Sequence, residues 1–417
     1  MIATLSPFMT YMFAPGGGIL TMGSSDAILP FVLGALVATA VLAPADRKTP
    51  VRLSFASSLL ILAMLVAAAS VTIWTVVDPS FLTSRAIADS IKLGIGIVYF
   101  IVVYRLGINA GWEGCLRALR FWAWTATILS FGSLVGATGA IVLVPTDGFR
   151  SNGFFEDPNL YAGYLLVSLS IVLFLGVLKD IRWLPLQSLM IVGGLVTTGS
   201  RAGMGSLVLL LLLAAIIINS ARLRLTILGM TSIGSLLLVW LIAQGDRQTS
   251  ILGLDRLVSS SANVDDDPRL RLWGVAIQKW LDEPVWGIGL GQFERFSVNA
   301  GGRLRSTGLG YVTHNTFLFF LVSFGVIGLG LFLAMLTWLS VRLYSAPGLS
   351  RNAKHALMSG IVVLCSQFMT LNLQNLRYVW IYFGMVLAVS VLAARADEGE
   401  PGAEPAVETD QLEVARR

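Results

Sequence analysis

Long apolar runs separated by short polar links dominate this chain, and the runs are continuous rather than alternating in period two. Hydrocarbon offers no partner to a backbone N–H or C=O, so such runs predict membrane-crossing helices, each bonded within itself. The alternation of a transmembrane barrel is missing. About twelve spans are expected, centred near Phe13, Leu36, Val66, Val98, Phe131, Ser170, Ile191, Leu212, Leu237, Phe324, Leu364 and Leu387. The first and seventh are short and glycine-rich. One long polar loop, 244–313, interrupts the series and carries a helical pattern of its own. The expected fold class is an all-α polytopic membrane protein, a single transmembrane domain over 1–395 that includes this loop. Residues 396–417, rich in Glu, Pro and Ala, are expected to form a disordered tail.

Composition agrees. The 417 residues are 55% hydrophobic and 13% charged, with a mean hydropathy of +0.78, more apolar surface than a soluble domain hides. A net charge of +5 and a pI of 9.4 would suit nucleic acid, but the cations are distributed as loop anchors. Arg47, Lys48 and Arg52; Arg105, Arg117 and Arg120; Lys179 and Arg182; Arg222 and Arg224; and Arg342, Arg351 and Lys354 fall on one set of links. The alternate set holds single arginines: Arg85, Arg150, Arg201 and Arg377. By the positive-inside rule the rich set is cytoplasmic, both termini with it, and 244–313 lies on the outer, periplasmic face. The first 46 residues hold no Lys or Arg, so a cleavable signal is not expected and the first span is expected to stay. Cys115 and Cys365 fall in or beside different apolar segments and predict neither disulfide nor metal.

Four polar constellations lie on the expected outer side. Gly148-Phe149-Arg150-Ser151-Asn152-Gly153-Phe154-Phe155-Glu156-Asp157-Pro158-Asn159 ends in a helix start, with Asn159 as a candidate N-cap. Asp157 and Asn159 are explained equally well by the turn alone, whereas a turn does not need the guanidinium of Arg150. Thr198-Gly199-Ser200-Arg201-Ala202-Gly203 is so tight a link that Arg201 has to lie near the membrane boundary, where isolated charges commonly mark a functional path; a snorkelling anchor is the plainer alternative.

The third constellation runs from Asp265, Asp266 and Asp267 through Pro268, Arg269 and Arg271. Asp267 suits an N-cap and Pro268 a first helical position. Trp273, Ala276, Ile277, Trp280 and Leu281 share one helical face, an amphipathic helix on the membrane or against the bundle. Arginines at a helix start make a good place for an anion, unless the three aspartates only neutralise them. The fourth is Thr313-His314-Asn315, where either Thr313 or Asn315 can cap the next span. His314 there is either an interfacial polar residue or a group that exchanges protons near pH 6.5. The other histidine, His355, falls in a basic cytoplasmic link and is expected to be solvated. Gly287-Ile288-Gly289-Leu290-Gly291 lacks the spacing and preceding strand of a dinucleotide loop and reads as tight turns.

Taken in order, Gly153-Phe154-Phe155 with Asp157-Pro158-Asn159, then Ser200-Arg201-Ala202-Gly203, Arg269-Leu270-Arg271-Leu272-Trp273, Pro284-Val285-Trp286-Gly287, His314-Asn315-Thr316-Phe317-Leu318 and Gly325-Val326-Ile327-Gly328 resemble the O-antigen ligase and polymerase superfamily of bacterial inner membranes. The resemblance covers roughly 149–331. It implies a glycosyltransferase of the C-type membrane architecture, without metal or other cofactor. The donor would be a glycan on undecaprenyl diphosphate and the acceptor a lipid A-core or another glycan, met at the outer face among membrane lipids; no nucleic acid partner is implied. It implies that His314 activates the acceptor and that Arg201 and Arg269 hold the diphosphate, with Arg271 and Arg150 beside them and Asn315, Asp157 and Asn159 in support. A polymerase joining lipid-linked repeats is the near alternative. A lipid-linked glycan flippase is the alternative of another class, disfavoured by spans nearly free of charge.

Overall fold

The computed structural model describes residues 29–34, 55–137, 141, 143–147, 150–178, 183–217, 229, 268–298 and 311–397. The spans expected around Phe13, Leu36 and Leu237 lie outside the described residues, as do Asp265, Asp266 and Asp267, much of the 244–313 loop, and 398–417. The described residues are mostly helical, and among them five helices are long and apolar enough to cross a membrane.

In order, the elements are α1 (Phe55–Val77), α2 (Thr83–Ala137), the two short strands β1 (Thr146–Asp147) and β2 (Arg150–Ser151), α3 (Pro158–Val177), α4 (Leu184–Thr197), α5 (Arg201–Ile217), α6 (Pro268–Asp282), α7 (Phe293–Phe296), α8 (Thr316–Tyr344), α9 (Arg351–Phe368) and α10 (Arg377–Asp397). The strands pair antiparallel, Thr146 with Ser151 and Asp147 with Arg150. Apolar on every side, α3 has no face to turn to a polar phase and is buried almost throughout, as such a helix should be, against α2, α4, α5 and α9.

Two of these helices are broken by glycine. At 55 residues, α2 would reach about 80 Å if straight, far beyond a hydrocarbon core of about 30 Å. Gly111 interrupts it at φ 68, ψ −173. The Cys115 thiol reaches the carbonyl of Gly107, eight residues back, at 3.5 Å, a contact impossible along a straight helix. The chain therefore reverses at Gly111, and the two expected spans near Val98 and Phe131 form a helical hairpin with almost no loop.

The second break, in α8, is at Gly325 (φ 64, ψ −160). Here the loop 284–288 inserts into the gap. The Val326 amide donates to the Pro284 carbonyl and the Ile288 amide to the Val322 carbonyl, both at 2.9 Å, so the groups freed by the break are satisfied by protein. A Cβ on Gly325 would lie 2.1 Å from the Val285 oxygen. The expectation of tight turns at Gly287, Gly289 and Gly291 holds, since all three have positive φ.

Two expectations are corrected by the packing. Of the α6 face read as Trp273, Ala276, Ile277, Trp280 and Leu281, only Ala276 is buried; the inward face is Leu272 and Ala276, packed with Val322 and Phe293, while Ile277 and Leu281 are exposed. Leu272 and Ala276 thus meet the bundle, while Ile277 and Leu281 are left to the membrane, the other placement expected for this helix. His355 is not in a solvated link either. It sits near the start of α9, half-buried beside Tyr344, and lines a small apolar cavity of about 50 Å³ with Leu173, Leu213 and Val362.

Candidate functional site

Four polar links meet at one end of the bundle, and hydrogen bonds tie each to the next. The first carries Arg150. Asp157 rather than Asn159 is the N-cap of α3: its backbone is extended (φ −141, ψ 137) and its carboxylate accepts from the Asn159 amide at 2.6 Å, with Pro158 pre-set for the first helical turn. This corrects the reading of Asn159 as cap. Asn159 also donates its side-chain amide to Asp157 Oδ1 at 2.6 Å, which leaves its oxygen to accept from Arg150 Nη2 at 3.2 Å.

Arg150 then reaches the second link, donating from Nε to the Thr198 carbonyl at 2.8 Å. The link 198–200 turns at Gly199 (φ 57), and the Ser200 hydroxyl accepts from the Gly203 amide at 3.1 Å, capping α5. Arg201 is the first residue of α5. It is exposed and makes no hydrogen bond or ion pair with any other described residue. One residue on, the Ala202 carbonyl accepts from Gln367 Nε2 at 3.0 Å, which fixes the start of α5 to the last turn of α9.

The third link, 369–376, leads from α9 into α10 and grips the fourth, 311–315. Asn372 Oδ1 lies 2.9 Å from the Thr313 hydroxyl and 2.8 Å from the Asn315 amide. The Thr316 hydroxyl donates to the Leu371 carbonyl at 2.7 Å and accepts from the Leu373 amide at 2.9 Å. Asn315, not Thr313, is the N-cap of α8, accepting from the Leu318 amide at 3.0 Å. Between these anchored residues stands His314, half-buried, with φ 47. It is the one non-glycine residue with positive φ among the described residues, a conformation that costs an L-residue roughly 1–2 kcal/mol and persists where the surroundings over-determine it.

Helix α6 lies alongside. Leu272 packs in the cluster that includes Tyr311, Leu318 and Val322, so the first turn of α6, with Arg269 half-buried and Arg271 exposed, borders the start of α8. Arg271 makes no hydrogen bond or ion pair with any other described residue. Arg377, a lone cation assigned no role from sequence, is buried in the third link (2% exposed) with Nη1 on the Asn375 carbonyl at 2.9 Å. Arg85, another of the lone arginines, pairs with Glu294 at 2.5 Å and so joins the start of α2 to α7. Inward of the rim, from Phe320, lies a small apolar crevice of about 20 Å³ lined by Phe320, Phe324, Phe332, Leu93, Ile97 and Trp380.

Among the described residues no group of three or more His, Cys, Asp and Glu side chains stands together as a metal site would require. The rim instead offers guanidinium groups and one imidazole, a set suited to holding a polyanion and moving a proton. Sequence reasoning missed Asn372 and Gln367. Their signal was the polar content of a short link between apolar runs, Asn372, Gln374 and Asn375, on the same side as Arg377.

Residues 186–333 match the family model described as O-antigen ligase. The matched stretch contains Arg201, Arg269, Arg271, His314 and Asn315, and excludes Arg150, Asp157 and Asn159. No curated protein matches the chain.

Proposed function

We propose, from the O-antigen ligase family segment that this chain carries at residues 186–333, that this membrane glycosyltransferase moves a glycan from undecaprenyl diphosphate to a sugar hydroxyl at the periplasmic face of a bacterial inner membrane. The observation that carries the reading is the continuous hydrogen-bonded rim from Arg150 through Thr198 and Ala202 to Gln367, and from Leu371, Asn372 and Leu373 to the residues around His314. Residues as far apart in sequence as Arg150 and Leu373 are thereby held at one end of the bundle, and the links that carry Arg150, Arg201 and Arg377, read as outer from the scarcity of cations, belong to this rim.

The chemistry needs no redox step. The bond from sugar C1 to the diphosphate oxygen breaks, a bond from C1 to the acceptor oxygen forms, and the acceptor proton passes to His314. Undecaprenyl diphosphate leaves with the electron pair, and a single displacement inverts C1. Arg201, Arg269 and Arg271 stabilise the charge that develops on the diphosphate, for which a permanently protonated, two-pronged guanidinium is suited. Arg150 acts through the 198–200 link, since its Nε and Nη2 are engaged there and on Asn159; Asp157, Asn159 and Asn315 support through their caps. General-base catalysis is worth about 10²–10⁴-fold, and holding two lipid-borne substrates in line contributes much of the rest.

A flippase would put a discontinuous helix beside a cavity. A coupled flippase would also put ionisable residues near the midplane, and the described membrane-length helices are nearly free of charge over their apolar windows, which favours an enzyme. The test is transfer by purified protein in lipid nanodiscs with a polyprenyl-diphosphate glycan and an acceptor glycolipid. His314→Ala should lose activity by about 10²-fold or more; full activity in that variant removes the base, and movement of donor across a bilayer with no new glycosidic bond removes the enzyme. In a deletion strain, long polymer left on the carrier lipid marks a ligase, and single repeats on the lipid core mark a polymerase.

A further inference from the structure

We propose that Asn372 is a positioning residue for His314, holding the histidine's backbone in its left-handed conformation by gripping the residues on both sides of it. The inference rests on the reading of His314 as proton acceptor. Asn372 lies outside the stretch that matches the family model.

Residue 314 precedes an N-cap, a place where extended backbone is the relaxed state for an L-residue. It is instead at φ 47. Something has to hold it, and the caps of α8 do not, because the Asn315 side chain is committed to the Leu318 amide. The Asn315 backbone amide points out of the helix and meets Asn372 Oδ1 at 2.8 Å. On the other side of the histidine, the Thr313 hydroxyl lies 2.9 Å from the same oxygen and 3.0 Å from the Asn315 carbonyl. A hydroxyl has one proton, so these two acceptors share it. Thr313 and Asn315 are 1% and 7% exposed, too buried for water to take over from a lost partner.

The orientation of Asn372 follows from chemistry. A backbone amide can only donate, so the Asn372 atom facing Asn315 is the oxygen. The requirement at 372 is therefore an acceptor for two converging donors. Thr316 fastens the same pair of links through Leu371 and Leu373, so removing Asn372 leaves the links adjacent while releasing the two bonds that bracket the histidine. His314 is then free to relax toward negative φ, which re-aims its imidazole. A misplacement of about 1 Å can cost about 10²-fold in rate.

The experiment compares Asn372→Leu, close in shape but with no acceptor, with Asn372→Asp, which keeps an acceptor oxygen, in nanodisc-embedded protein. Transfer kinetics and hydrogen exchange at the Asn315 amide are read in both. Asn372→Leu should lower kcat about tenfold or more with donor KM within about twofold, and should speed exchange at Asn315. Asn372→Asp should restore most of kcat and the protection. Wild-type kcat in Asn372→Leu, or an Asn315 amide that stays protected there, overturns the inference, as does Asn372→Asp behaving like Asn372→Leu when both are folded. Failure of the underlying reading looks different: His314→Ala would then retain transfer, while the exchange result at Asn315 would still report whether Asn372 holds the loop.

Discussion

Gln367 donates from Nε2 to the carbonyl of Ala202 at 3.0 Å across 165 residues of sequence, and the same nitrogen lies 2.7 Å from the Ser206 hydroxyl. The side chain is fully buried, so it acts as a pin between the end of α9 and the first turn of α5, beside Arg201. Replacing it with Leu removes both bonds; the Ser206 hydroxyl keeps its contact with Ser366 at 3.0 Å, and the Ala202 carbonyl loses its side-chain partner. A loss of about 1–3 kcal/mol is expected, measured by thermal unfolding in detergent. Donor KM should rise in the same variant if Arg201 binds the diphosphate.

The φ of 47 at residue 314 separates stability from chemistry at that position. Glycine adopts this backbone without a steric cost, whereas alanine does not. His314→Gly is therefore expected to be more stable than His314→Ala by about 1 kcal/mol, read from paired unfolding curves. Both should be equally depleted in transfer, because neither can accept a proton.

The plugged break in α8 gives a contrast between two glycines of one helix. Gly325→Ala forces a positive φ on alanine and drives its Cβ to 2.1 Å from the Val285 oxygen, which is backbone and cannot swing aside. It should destabilise by about 3 kcal/mol or more and lower the folded yield. Gly330→Ala meets nothing within 4 Å and lies in regular helix, so it should be neutral or stabilising by up to about 1 kcal/mol. Size-exclusion yield and unfolding midpoint report both.

The turn between α1 and α2 should resist acid until below the ordinary carboxylate range. Hydrogen bonds from the Ser80 hydroxyl and amide to Asp78, with Arg295 behind them, hold the Asp78 carboxyl below its ordinary 3.8. A depressed carboxylate contributes stability above its unfolded pKa and loses it as pH falls through the folded one. Exchange at the Ser80 amide should therefore be constant in its protection from about pH 9 down to pH 5 and weaken only below the ordinary carboxylate range. Asp78→Asn should abolish that acid dependence.

Much of the architecture was legible in the primary structure because its causes are local. Continuous apolar runs dictate helices, and Pro158 and Pro268 start two of them, whereas the breaks at Gly111 and Gly325 emerged only in the structure. Single arginines on alternate links, with His314 before a run, singled out the links that carry the proposed site. Other features depended on partners distant in the chain. Whether Asp157 or Asn159 caps α3 was settled by which side chain the Arg150 guanidinium also needed. Which residues of α6 meet the bundle was decided by Phe293 and Val322, against which Leu272 and Ala276 pack. The backbone of His314 is held by Asn372 through contacts spanning 57 and 59 residues, and Gln367 reaches α5 across 165. Helix formation is read from neighbours along the chain, but the conformation of a link is set by whichever donors and acceptors the packed bundle brings to it, and only the tertiary structure assigns those.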